Sequence, residues 1–452
     1  MRLPATLSLL FVAIATVRAE APPVQGTMPE DLMPGLAPLL KTAVERSPST
    51  LAANIAVAVA EANRYLNAAA LFPQLNFSSD YAVTRESLSQ GSPSTSKGIF
   101  YSANLSQNLF QWGAVKNQAQ ISRIGEQVAG RRFADAYRQV AVTIREQYMA
   151  LIEKKIALRN VRFSQKIAEE NLAAADVKFQ SGSSSEAELG GYKLALEEAK
   201  LATDRSAEDF EYAKQVFIRL VGVDGLSDDS IPLEVAHSDF KPTLADAVVT
   251  GFVGGGVEST FQSEVYQMTV KQDDLTYKIA KVRQLPKVLG LASYSYSNYN
   301  SISSTSISQL GVTQESYEIL ATWDLFDGFA TRGSKLSALA QRRSDELQKK
   351  NYTDASIDSI TTMRRQLGFT SRAMVLAETH DALIEAEIKR LGDDKALGYA
   401  SQASIDSGIL TLDATQFNMS AARADFLSRW TEFISLAGID PADDNIPSRY
   451  VR

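Results

Sequence analysis

No proline occurs between Pro93 and Pro232, and none between Pro286 and Pro441. Proline lacks a backbone donor and clashes with the preceding turn, so helix interiors exclude it. Two proline-free stretches of similar size, similarly placed, permit two very long helices. They also point to an internal duplication.

Residue-level landmarks support the duplication. Asn108-Leu109-Phe110-Gln111-Trp112-Gly113 resembles Asp324-Leu325-Phe326-Asp327-Gly328, and Leu109 to Leu325 is a step of 216. Gly182 to Gly398 is the same step of 216, as is Leu220-Val221-Gly222 to Leu436-Ala437-Gly438. Pro73 to Pro286 is 213, a small length change in a loop. The chain therefore divides into a first repeat at 20–236, a second at 237–441 and a tail at 442–452.

Each copy reads in the same order. A helix at about 49–72, and at about 258–285 in the second copy, leads to a proline. Strands are expected at 73–85 and 99–110, and again at 287–299 and 316–326. Between them lie polar loops, 86–97 and 300–314, rich in Ser, Thr and Gly. In the first strand Leu75, Phe77, Tyr81 and Val83 alternate with polar neighbours; in the fourth, Tyr317, Ile319, Ala321, Trp323 and Leu325 do so. A period of two means one apolar and one polar face.

The long helices follow, at about 112–181 and 329–397. At 1.5 Å per residue each would extend roughly 100 Å. The series Ile121, Ile124, Val128 and then Val140, Ile144, Tyr148, Leu151 makes a narrow apolar stripe, the pattern of a coiled-coil seam. Gly182 and Gly398 end the long helices, and returns at 186–221 and 402–437 close on Gly222 and Gly438 as C-caps. Two shorter helices end to end nearly match one long helix. Each copy can thus form a wall two helices wide, with strands at one end and a tip turn at the other.

The strands decide the setting. An apolar face bearing Tyr and Trp, opposite a Ser- and Asn-rich face, suits a membrane barrel with a wet lumen. One chain supplies only four strands, whereas the smallest closed barrels need about eight. An open edge in lipid leaves backbone groups unpaired, each costing several kcal/mol. Two copies would give eight strands and a lumen filled by side chains; three copies give twelve, so a homotrimer is expected.

The N-terminus reads as an address. Arg2, an apolar run from Thr6 to Val17 and small residues before Glu20 make a secretory signal peptide over 1–19. Its removal takes two arginines and moves the net charge from −7 to −9. An acidic chain argues against nucleic acid as a partner. There are no cysteines, which excludes disulfides, thiolate metal sites, a Cys nucleophile and lipid attachment at a cysteine. No apolar run reaches the roughly 18 residues of a membrane helix.

Catalytic patterns are missing as well. The only histidines, His237 and His380, are 143 residues apart, with no His/Glu spacing for a metal. Gly254-Gly255-Gly256 is not followed by the GK of a phosphate loop. The pairs Glu169-Glu170 and Glu197-Glu198 occupy adjacent helix positions and diverge around the axis. No enzyme activity and no cofactor are expected.

The chain resembles the TolC-like outer-membrane factors across nearly all of its mature length. The resemblance rests on Ala43 to Pro48 before the first helix and on Leu71-Phe72-Pro73-Gln74-Leu75-Asn76-Phe77 entering the first strand. Leu325-Phe326-Asp327-Gly328, the tip glycines and the closing Leu-x-Gly pairs complete it. It implies a mainly α fold with a membrane β-barrel portion: a 12-strand barrel in the outer-membrane lipid, continuing into a helical coiled-coil barrel in the periplasm. It implies an exit duct for a tripartite efflux pump or type I secretion system, with a periplasmic adaptor (membrane fusion) protein and an inner-membrane pump or ABC transporter as partners. It places the adaptor contact at the tips, Gly182, Ser183, Ser184 and Ser185 with Gly398, Tyr399, Ala400 and Ser401. Glu188 and Asp406 are the candidate aperture acids. Family members can hold their second tip with an arginine and two aspartates; here those positions are Ala400, Ser404 and Ser407, with Asp406 as the only nearby acid. That argues against a closed state held by salt bridges there and leaves a looser gate, or one using Asp393, Asp394 and Lys395, as alternatives; those three read first as a solvated helix face. The competing reading is a structural or adaptor-type periplasmic coiled-coil protein, which would not need four lipid-compatible strands.

Overall fold

The computed structural model describes residues 27–86, 94–302 and 307–451. The expected signal peptide and the two loop tips between paired strands lie outside these residues. Ten α-helices and four strands are described: α1 (Pro29–Leu32), α2 (Leu36–Arg46), α3 (Pro48–Ala69), β1 (Gln74–Glu86), β2 (Ser94–Phe110), α4 (Ala114–Gln180), α5 (Glu186–Val221), α6 (Pro242–Val253), α7 (Phe261–Val282), β3 (Lys287–Ile302), β4 (Ile307–Thr322), α8 (Ala330–Ala396), α9 (Gln402–Ala437) and α10 (Ser448–Val451).

The duplication is visible in the element lengths. α3 and α7 each have 22 residues, α4 and α8 each 67, and α5 and α9 each 36. Each 67-residue helix is about 100 Å long. The long helices start two residues later than 112 and one later than 329, for a conformational reason. Trp112 (φ 53°) and Gly113 (φ 80°) are both left-handed, as are Gly328 (φ 60°) and Phe329 (φ 67°). Two successive left-handed residues cannot enter a right-handed helix. They turn the chain sharply between strand and helix.

α3 and α5 both pack against α4, while α7 and α9 pack between α4 and α8. The wall therefore runs α3/α5, α4, α7/α9, α8, with α3/α5 and α8 at its two edges. The predicted stripe on α4 is buried from Val128 to Leu151 and half-buried at Ile121 and Ile124.

The remaining segments form a girdle across the middle of one face of this wall. They are α1 and α2, the strap from Gly222 to Thr260 that carries α6, and the C-terminal segment from Gly438 to α10. The main core lies under them, around Tyr137, Ile144, Tyr148, Phe217, Phe426 and Phe433. At its centre is Arg145, 0% exposed. Its guanidinium donates to Glu30 Oε1 and Oε2 at 2.5 and 2.8 Å and to Asp440 Oδ2 and Oδ1 at 2.6 and 2.8 Å. Burial by itself opposes this charge, but Asp440 and then Glu30 outweigh it and push the pKa up. Bidentate pairing on both sides is the geometry that lets an ion survive in a dry core.

The strands form one antiparallel sheet in the order β1-β2-β3-β4. They are longer than 73–85, 99–110, 287–299 and 316–326, because the ladder continues into the Ser- and Thr-rich stretches read as loops. Glu86 pairs with Ser94, and Ile302 with Ile307. Backbone pairing does not depend on side-chain polarity, so the alternation signal fades before the strand does. β4 ends at Thr322 instead of 326. Trp323 to Phe326 belong to the turn into α8, which Asp327 anchors by accepting from Thr331 N and Oγ1 at 2.8 and 2.5 Å.

Candidate channel wall and tip sites

The strand register separates the two faces. On one, Leu75 pairs with Leu105, Phe77 with Ala103 and Tyr81 with Ile99. The same face continues through Tyr101 with Tyr296 and Ala292 with Tyr317. Phe77, Tyr101 and Tyr296 stack across three strands with ring centroids 6.3 and 6.4 Å apart. The opposite face pairs Asn76 with Asn104, Ser102 with Ser295 and Ser293 with Ser316. There Ser78 and Ser102 hydroxyls lie 2.8 Å apart, and Asn104 Nδ2 donates to Ser102 Oγ at 3.3 Å. β1 and β4 are the two ends of the sheet, each with a strand on one side only.

This two-sidedness continues into the helices. A groove of about 1050 Å³ lies on the girdle side, between α3, α4 and α7, with Arg449 and Tyr450 beside it. From α7 it takes Glu264, Met268 and Lys271. A second cleft of about 700 Å³ takes Asp273, Thr276, Ala280 and Arg283 from the same helix. Asp273 is two residues past Lys271, about 200° around the axis. The acidic end of the second cleft therefore lies on the opposite side of α7 from the first groove, and the cleft reaches round the helix to Val282. It also includes Lys287, which pairs with Thr322 on the polar face of the sheet.

At the first tip, Gly182 has φ +76° and at the second Gly398 has φ +81°, with open space around both. Lys178 O accepts from Ser183 N and Asp394 O from Tyr399 N, at 2.9 and 2.8 Å, the Schellman closure of a helix end. Each return helix then starts on a serine cap. Ser185 Oγ accepts from Glu188 N at 3.2 Å, and Ser401 Oγ from Ser404 N at 3.1 Å.

The candidate aperture acids lie near the starts of these return helices. Glu188 Oε2 accepts from Ser184 Oγ at 2.9 Å, and Asp406 Oδ1 accepts from Gln402 Nε2 at 2.7 Å. Both bonds stay within their own tip. Of the three charges before Gly398, Asp394 pairs with Arg390 at 3.1 Å on its own helix and Lys395 bonds Gln402. Arg390 also holds Glu387 at 2.5 Å, and the guanidinium lowers the Glu387 pKa. Ala400 lies in the turn between Tyr399 and the cap Ser401. Around these polar networks the tips carry exposed apolar groups: Val177 and Leu194 on the first, Leu397 (69%) and Tyr399 (83%) on the second.

Sequence reading did not find Arg145, the tie on the strap or the second cleft. In the tie, Glu378 of α8 meets His237 Nδ1 at 2.7 Å and accepts from Arg423 Nε of α9 at 2.7 Å. Each joins residues remote in the chain, and no local spacing marks them. Among the described residues no helix is long and apolar enough to cross a membrane, and no group of three or more His, Cys, Asp or Glu could hold a metal ion.

Residues 39–210 match the family model described as outer membrane efflux protein. No curated protein sequence matches the chain. Among solved structures, the chain is similar to the CmeC outer membrane channel of Campylobacter jejuni, at 13% identity and a TM-score of 0.67, covering 94% of this chain and 92% of that one. It is similar to the open-state MtrE outer membrane channel of Neisseria gonorrhoeae, at 13% identity and a TM-score of 0.66, covering 96% and 97%. The outer membrane protein VceC of Vibrio cholerae gives 14% identity and a TM-score of 0.64 over 92% and 100%. The 39–210 segment thus resembles the outer membrane efflux protein family, and the chain as a whole has the fold of the TolC-like outer-membrane channels.

Proposed function

We propose that this chain is the subunit of a trimeric outer-membrane efflux duct, a passive conduit whose energy comes from a partner. The observation that carries the reading is the four-stranded sheet with one apolar face, one polar face and unpaired outer edges on β1 and β4. Such a sheet in lipid must close on further copies. Three chains bring β4 of each against β1 of the next, giving twelve strands around a wet lumen. The same operation sets α8 of each wall against α3/α5 of the next. Exposed apolar side chains on both edges, Ile55, Val59 and Leu66 on α3 and Leu347, Phe369 and Leu376 on α8, support that contact.

In this reading the helical barrel stands in the periplasm, and Gly182 to Ser185 and Gly398 to Ser401 meet a periplasmic adaptor, with an inner-membrane pump or ABC transporter behind it. Exposed Leu397 and Tyr399 support a partner at the tips. The polar bonds of Glu188 and Asp406 within single tips support an aperture without a strong intersubunit lock.

The test is outer-membrane fractionation with heat-modifiable gel mobility, followed by single-channel recording of the purified protein. A detergent-stable trimer that conducts ions supports the duct. A soluble periplasmic monomer without conductance supports the adaptor-type coiled-coil reading and overturns this one. Copurification on a tagged chain identifies the adaptor and pump.

A further inference from the structure

The cleft between α4, α7 and α8 just below the sheet is the feature least explained by a plain conduit. Its two ends differ in charge. At the lower end stand Asp273 and, beside it, the buried Asp345, which accepts from Gln341 Nε2 at 3.2 Å. One oxygen of Asp273 is buried without a hydrogen-bond donor. Burial and then Asp345 push the Asp273 pKa up to about 6, while Arg342 opposes the shift. At the upper end are Arg283, whose Nη1 donates to Ser334 Oγ at 2.9 Å, and Lys287, which makes no ion pair among the described residues. Between them the walls include Ala280 and Ala338, both buried.

The volume, about 700 Å³, is that of a site for a drug-sized molecule. Asp273 and Arg283 are ten residues apart on α7, about 15 Å along the helix. We propose that this cleft is a transit subsite for amphoteric amphiphiles, with a ligand amine at Asp273, an anionic group at Arg283 and Lys287, and an apolar body across Ala280 and Ala338. The proposal rests on the trimeric duct reading, in which the polar face of the sheet, and with it the cleft, looks into the lumen. Three such clefts then ring the passage where barrel meets helices. Opposite charges at the two ends disfavour ligands with a single charge, because one end is then left unpaired on desolvation.

The experiment uses the full-length trimer in planar bilayers, with current block scaled to each variant's own open current. The probe is ω-aminododecanoate, an ammonium and a carboxylate at the ends of a flexible chain. Dodecylamine and dodecanoate are the single-charge controls. Block by the amphoteric probe is expected at roughly ten-fold lower concentration than by either control, one such factor being about 1.4 kcal/mol. Asp273→Asn is expected to reduce the amphoteric probe to the level of dodecanoate. Arg283→Ala with Lys287→Ala is expected to reduce it to the level of dodecylamine. Equal block by all three compounds, or block unchanged in both variants, overturns the cleft while leaving the duct standing. A trimer that never conducts overturns the duct reading, and the cleft proposal with it.

Discussion

Arg145 and Asp440 are 295 positions apart, and their side chains meet at 2.6 Å with neither exposed to solvent. Glu30 completes the pairing from the other end of the chain. The bond closes the girdle by joining its N-terminal and C-terminal segments through the middle of α4.

Arg145→Met is therefore expected to cost about 3–5 kcal/mol, because it leaves two carboxylates without a counter-charge in the core. Arg145→Lys should also be destabilising, since an ammonium cannot bond both carboxylates through parallel pairs. Denaturant unfolding of the purified protein measures both. A loss below 1 kcal/mol for Arg145→Met would show that the girdle does not depend on this ion.

The two helix-closing glycines are predicted to respond differently. Gly222 has φ +80°, and a Cβ there would stand 2.3 Å from Arg46 O. Gly438 has φ +71° but its nearest neighbour would be Thr260 Cγ2 at 3.5 Å. Gly438→Ala should cost about 1 kcal/mol of backbone strain. Gly222→Ala adds a backbone clash and should cost about 3 kcal/mol or more. Thermal melts of the pair check the order, and equal losses would contradict it.

His237 links stability to pH. Its bond to Glu378, against some burial and with further help from Asp239, raises its pKa above the ordinary value of 6.5. The folded protein then holds the proton more tightly than the unfolded chain. Stability from this contact is fully present below about pH 6.5 and is lost as pH rises through the folded-state pKa. His237→Ala should lower the melting temperature at pH 6 and have little effect at pH 9. The same loss at both values would mean that the ring acts by packing alone.

Asp443 shows the opposite balance. Burial raises its carboxyl to about 7, Arg138 counteracts this, and Asp440 adds to it; its Oδ1 is buried without a partner. A native pKa above the unfolded value means an extra bound proton between about pH 4 and 7, so stability falls as pH rises across that window. Asp443→Asn should stabilise the protein by on the order of 1–2 kcal/mol at pH 8 and leave it unchanged near pH 4. Denaturation at the two pH values tests this, and a variant less stable at pH 8 would refute it.

The tips offer a functional test. Replacing both Gly182 and Gly398 by Val strains two left-handed turns without a clash, since both sites are open. Export by the assembled pump should be lost while gel-stable trimers persist. Normal export in the double variant would show that the tips are not the adaptor contact.

What the sequence determined by itself is the repetitive part of this protein. Missing prolines, period-two strands, the seam on α4 and glycines spaced 216 apart are local or periodic signals. They report which backbone each segment can adopt and which face is apolar, and the four strands and two long helices follow from them. What only the tertiary structure decided is pairing between distant residues: Arg145 with Glu30 and Asp440, Glu378 with His237 and Arg423, and the cleft from Asp273 to Lys287. A charge in mid-helix looks the same whether it faces water or a partner hundreds of residues away. Strand ends such as Thr322 were hidden for a related reason, because backbone ladders continue or stop according to their neighbours and not according to the polarity of their own side chains.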